Sequence, residues 1–230
     1  MKPHTSKSFE ADLERLQERI LRMGALVEQA IADAIGALVD RDPERARTVI
    51  ARDHEVNRHE VEIDERCIEL LALRQPAATD LRLIITGLKI STDLERIGDL
   101  AVNMSERALE LVDQPPLKPL VDLPRMADAA REMVRTSLDA YVNRDPHAAQ
   151  RVCESDDIVD RLNDQIFREL LTYMMENPAN ISRALGLILI ARYLERIADH
   201  ATNISEMVIY LVRGKDIRHT HVPDRPPGSG

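Results

Sequence analysis

The sequence predicts an all-α protein of two tandem, sequence-repeated three-helix bundles, six long helices in all. Three observations predict it. Residues 94–106 read LERIGDLAVNMSE and residues 194–206 read LERIADHATNISE. This places Glu95, Asp99, Asn103 and Glu106 exactly 100 residues before Glu195, Asp199, Asn203 and Glu206, and a fixed internal period marks a repeated structural unit. Glycine is scarce (8 of 230 residues), aromatics are 3% of the chain, and Ala, Leu, Glu and Arg abound, a balance that favours helices over strands. Finally, apolar residues recur at alternating spacings of three and four, the seam of a helix bundle.

The first helix carries the seam Phe9, Leu13, Leu16, Ile20, Met23, Val27, Ala30 and Ala34, and stops at Asp40-Arg41-Asp42-Pro43. Asp42 suits the cap of the second helix. Pro43 suits its first position, where the N–H has no helical partner. The second helix spans 43–74 and ends before Pro76; the third spans 77–112 on the seam Ile90, Leu94, Ile97, Ala101, Met104, Ala108 and Leu111. Prolines at 115, 116, 119 and 124 then mark a linker. A fourth helix spans 123–143, and Asp145-Pro146 opens the fifth as Asp42-Pro43 opened the second. Asn177-Pro178 closes the fifth. The sixth spans 181–213 on the seam Leu187, Ile190, Leu194, Ile197, Ala201, Ile204, Val208 and Leu211, with Gly214 as its C-terminal cap. The expected organisation is a first repeat over 1–113, a Pro-rich linker over 114–122, a second repeat over 123–219 and a disordered tail over 220–230. Helices of this length joined by short turns should pack antiparallel, three to a half.

Composition excludes several functions. A net charge of −9 argues against a nucleic-acid partner. Cys67 and Cys153 have no CxxC spacing, so neither a disulfide framework nor a zinc knuckle is expected, and both should be buried. No run approaches the ~20 apolar residues of a membrane span, and the N-terminus lacks an apolar signal core. A cytoplasmic protein is expected.

The acids need their own explanation. At about 100° per residue, Thr92, Glu95, Asp99, Asn103 and Glu106 form one stripe of the third helix; Arg192, Glu195, Asp199, Asn203 and Glu206 form its counterpart on the sixth. In the second helix the seam Val49, Val56, Ile63, Leu70 alternates with Asp53 and Glu60. In the fifth, Val152, Val159, Ile166, Tyr173 alternates with Asp156 and Asn163, at an offset of 156 − 53 = 103. Asp156 and Asp160 form a further acid pair, whose counterpart Asp53 and Asn57 has lost one carboxylate. Two readings stand. The acids are a solvated face, with Arg82, Arg96 and Arg196 available as partners. Or they are oxygen ligands converging from adjacent helices on a cation, with His200 a further ligand in the second half only, since Leu100 replaces it in the first. Like charges at i,i+4 cost a few tenths of a kcal/mol in a bare helix, and this pair recurs in both halves. A di-iron enzyme would need Glu-x-x-His pairs in the bundle core, which are missing. So are a Gly-rich phosphate loop and a nucleophile elbow. No enzyme is expected.

A duplicated three-helix unit, each ending in LERI-x-D-x-A-x-N, with QPAATDLR (75–82) before the first and MMENPANIS (174–182) before the second, resembles the PhoU family of phosphate-transport regulatory proteins. The resemblance covers roughly residues 8–219. It implies a cytoplasmic, all-helical, often dimeric negative regulator of the phosphate-starvation response. Its implied partners are the ATPase subunit of the phosphate importer and the phosphate-sensing histidine kinase, and the membrane is reached only through them. It also implies iron or zinc clusters at E/DxxxD motifs in some members. Here the matching positions are Glu95/Asp99, Asp156/Asp160 and Glu195/Asp199, with Asp53 and Glu60 completing the acids of the first half. The rival reading is a carboxylate-based metal-binding bundle with a storage or sensory role.

Overall fold

The computed structural model describes residues 7–214, apart from 75 and 77. It contains α1 (Lys7–Asp40), α2 (Pro43–Arg74), α3 (Ala78–Val112), α4 (Asp122–Asn143), α5 (Pro146–Glu176), a 3-10 turn (Pro178–Asn180) and α6 (Ile181–Arg213). The predicted start of α3 at 77 and the tail over 220–230 lie outside the described residues.

The helix ends are set by local chemistry, and the two repeats use the same device. Arg41 and Arg144 adopt left-handed backbone, with φ 55° and 52°. Each turns the chain into an Asp-Pro pair. The Asp42 carboxylate accepts from the N–H groups of Glu44 and Arg45 at 3.0 and 3.1 Å. Asp145 does the same for His147 and Ala148 at 2.9 and 3.1 Å. These bonds satisfy amides that the first helical turn leaves unpaired. Gly214, at φ 67°, closes α6 by donating to the Tyr210 carbonyl at 2.8 Å.

Within each repeat the three helices pack on one another. Across the repeats, α3 packs along α6 and α1 packs against α4. The helices α1, α3, α6 and α4 thus close a ring of four, while α2 and α5 lie outside it, each held by two helices of its own repeat. Buried residues from all six helices form one continuous core. The two bundles of the repeat are therefore fused along a common face. Gly24 lets α1 approach α4, because a β-carbon there would collide with the Leu138 side chain. Gly36 makes room for the Arg45 guanidinium, which reaches Asp33 at 2.9 Å.

Three seam positions differ from the expectation. Ala30, Leu111 and Tyr173 are half-buried, while Ile31 and Leu170 are in the core. A 3.5-residue repeat drifts around a straight helix of 3.6 residues per turn, so a seam read far along a helix drifts off the buried face. The Pro-rich linker over 114–122 makes contacts of its own. It is docked along its length: Arg41 donates to the carbonyls of Val112 and Gln114, Arg183 donates to that of Pro115 at 2.9 Å, and Lys118 pairs with Glu169. Leu117 and Leu120 pack against the core. The Val112 carbonyl at the C-terminus of α3 needs a donor, and Arg41 supplies it.

Candidate functional site

Because α2 and α5 sit outside the ring, the outward faces of the α2/α3 and α5/α6 pairs are open, and the repeated acids stand there. Burial among like charges raises most of them. In the first half, Glu95 titrates above the usual carboxylate range because it is partly desolvated and faces Asp99, Glu60 and Asp53. Glu60 is raised by desolvation and by Asp64 and Asp99, offset in part by a hydrogen bond with Thr92. Asp99 is raised by desolvation and by Asp53. In the second half, desolvation, Asp160 and Asp199 push Asp156 up to about 6. Glu195 and Asp199 are raised as well, each first by desolvation and then by carboxylates that include Asp160. The eight predicted residues thus gather into two mutually repelling groups: Asp53, Glu60, Glu95 and Asp99 between α2 and α3, and Asp156, Asp160, Glu195 and Asp199 between α5 and α6. Among the described residues, no three His, Cys, Asp or Glu side chains are drawn into ligating geometry for an ion.

The halves neutralise themselves differently. Asn57 donates its amide to Asp53 at 2.8 Å. Its counterpart Asp160 has no amide to give and repels Asp156 instead. The exchange is reciprocal, since Asn57 and Glu60 of the first half have Asp160 and Asn163 as their mates, so each group keeps four carboxylates in a different arrangement. Arg192 pairs with Glu195 at 2.8 Å. Arg82, predicted as a partner for the acids, instead donates to the Leu211 carbonyl of the other repeat at 3.3 Å.

His200 overturns its prediction as a ligand of the second group. It lies in the seam between α3 and α6, 9% exposed, with Nδ1 2.9 Å from the Asp93 carboxylate of the first repeat. The reason is helical phase: position 200 is one residue past the outward-facing Asp199, on the side that packs. The repeat equivalents of this pair are Leu100 and Tyr193. The signal that could have found the contact was this double break in the repeat, an acid and an imidazole where the mates are apolar. Sequence reasoning also missed Asp64, which accepts from the Ser91 hydroxyl at 3.2 Å and adds to the repulsion on Glu60. Cys67 is buried as expected, whereas Cys153 is half-buried. Desolvation pushes the thiols up to about 12 and about 11, which makes them poor nucleophiles at neutral pH.

No helix among the described residues is long and apolar enough to cross a membrane. The family model of the PhoU domain matches twice, at residues 20–108 and 123–208, in register with the two repeats. The phosphate-specific transport system accessory protein PhoU homolog of Pseudomonas putida is 47% identical over 217 residues, covering 94% of this chain and 85% of that protein. The homolog of the same name from Aquifex aeolicus is 44% identical over 214 residues, covering 93% and 97%. The crystal structure of PhoU from Pseudomonas aeruginosa superposes with a TM-score of 0.86 at 46% identity, over 90% of this chain and 100% of that one. The phosphate transport system regulatory protein PhoU from Streptococcus pneumoniae gives 0.84 at 28% identity, over 90% and 98%. The twofold match of the family model and the near-full-length similarity agree with the internal repeat: this chain belongs to the PhoU family.

Proposed function

We propose that this chain is a cytoplasmic regulator of phosphate uptake that keeps the phosphate-starvation response off when phosphate is plentiful. In this reading it is a non-enzymatic adaptor between the ATPase subunit of the phosphate importer and the phosphate-sensing histidine kinase. It acts as a homodimer, meets the membrane only through these partners and binds no nucleic acid. The observation that carries the reading is near-full-length identity to proteins named as accessory to the phosphate-specific transport system. The fused core supports it, because long helices locked into one body present rigid outward faces on which a transporter's state can be passed to a kinase. Complementation tests it. In a strain lacking its own homolog and carrying a starvation-promoter reporter, the gene is expected to silence the reporter in high phosphate. A reporter that stays on while the protein is soluble and expressed would overturn the reading.

The acid groups serve this regulator as cation sites in the same reading. Asp156, Asp160, Glu195 and Asp199 would hold iron or zinc in the second half, and Asp53, Glu60, Glu95 and Asp99 in the first. The support is electrostatic: carboxylates raised by one another store repulsion that a bound cation relieves. When bound, the ion would supply positive charge that ties α5 to α6, or α2 to α3. Changing Glu195→Ala together with Asp199→Ala is expected to abolish metal binding in the second half while far-UV circular dichroism keeps its helical signal. Metal stoichiometry by plasma emission would be the readout, and an unchanged value would sink the assignment.

A further inference from the structure

The second repeat carries an apolar patch that the first does not match. Phe167, Leu171 and Met175 on α5 are 48%, 42% and 79% exposed, and Ile181, Leu185 and Leu189 on α6 are 42%, 48% and 38% exposed. Each set is spaced i, i+4, i+8, so each forms a stripe along its helix. The two stripes flank the turn at Asn177–Asn180 that joins the helices. At about 100° per residue, the α5 stripe continues the line of Asp156, Asp160 and Asp164, and the α6 stripe continues that of Asp199 and Glu195. Electrostatic coupling of Asp160 to both Glu195 and Asp199 places these two lines on one face of the α5/α6 pair. That face is therefore apolar at the turn end and, past Arg192 in its pair with Glu195, carries carboxylates beyond it. The repeat mates of the six apolar residues are Asp64, Ile68, Ala72, Leu81, Ile85 and Lys89, so two charges break the surface in the first half.

We propose that the α5/α6 face docks a helix of a partner protein, one with an apolar stripe at one end and Lys or Arg residues at the other. The inference rests on the adaptor reading above and gives it a surface. Large side chains left in water in a contiguous group mark an interaction site. Charge complementarity selects the occupant. The neighbouring carboxylates repel the anionic headgroups of a lipid surface and attract a basic segment. The patch and the acidic line together run from Asp156 to Met175, a length of about 29 Å at 1.5 Å per residue, which matches a helix of some ~20 residues laid along the face.

The test uses the whole chain against the purified ATPase subunit of the phosphate importer and the purified cytoplasmic part of the histidine kinase, by biolayer interferometry at two salt concentrations. The wild type is expected to bind at least one of them, more weakly at high salt. Phe167→Ser with Leu171→Ser is expected to weaken that binding at least tenfold, as is Leu185→Gln, with melting temperatures near that of the wild type because all three positions face water. Ile68→Ser, in the first half, should bind like the wild type. If the wild type binds and the patch variants bind equally well, the docking surface is wrong and the adaptor reading survives. If the wild type binds neither protein, the adaptor reading fails and the inference falls with it. If sedimentation shows that the patch variants split a dimer without loss of partner affinity, the occupant is a second copy of this chain and the proposal is overturned.

Discussion

Leu194→Ala is expected to cost about 2–5 kcal/mol of folding stability, and Leu94→Ala a similar amount. Both side chains are completely buried. They sit at equivalent positions of the helices that join the repeats, where α3 packs along α6. Truncation removes the transfer free energy of three methyl or methylene-sized groups and leaves a cavity that rigid neighbouring helices cannot fully close. Urea unfolding followed by circular dichroism would measure the loss as a lower midpoint. The fused core adds a second expectation. Because one continuous set of side chains spans both repeats, either substitution should shift a single transition of the whole chain. A biphasic curve in which only the mutated half melts early would contradict the shared core, and two independent bundles would then be the better description.

Asp156→Asn is expected to stabilise the protein at pH 7 by about 1 kcal/mol, with the gain fading as the pH falls. Asp156 titrates at about 6 in the folded chain against an ordinary value of 3.8. A raised acid pKa means that the folded state holds the proton more tightly than the unfolded state. Ionisation above about pH 6 therefore costs the folded state stability, and below 3.8 both states are protonated and the cost is absent. A displacement of this size corresponds to about 3 kcal/mol, and solvent screening of a half-buried carboxyl reduces it to about 1 kcal/mol. Urea midpoints of wild type and variant at pH 7 and pH 4 would check both size and sign. A variant no more stable at pH 7, or a difference that does not change with pH, would show that Asp156 carries no strain. Asp160→Asn offers a second route, since it should let position 160 donate to Asp156 as Asn57 donates to Asp53. In the cation-site reading, either substitution trades metal affinity for stability.

The two acid groups also show how far a site can be read from one chain. Positions 95, 99, 195 and 199 were legible because a repeat that preserves an unfavourable charge spacing stands out against apolar periodicity. That Asp53 and Glu60 face Glu95 and Asp99 across the α2/α3 groove follows from a seam position on one helix meeting a stripe on the next. Helical phase around a single residue was harder: His200, next to the exposed Asp199, points into the core seam and bonds with Asp93, 107 residues away.

By itself the sequence determined the class, the six helices, their ends and the twofold repeat. All of these rest on signals carried by near neighbours in the chain: a three-and-four apolar spacing, an Asp-Pro pair after Arg41 and Arg144, and a glycine after the last turn. Only the tertiary structure decided that the two bundles share one core and that the proline-rich segment is pinned by Arg41, Arg183 and Lys118. Those outcomes depend on which helix faces which, and that is set by the packing of side chains far apart in the sequence, where periodicity says which face is apolar but not what will cover it.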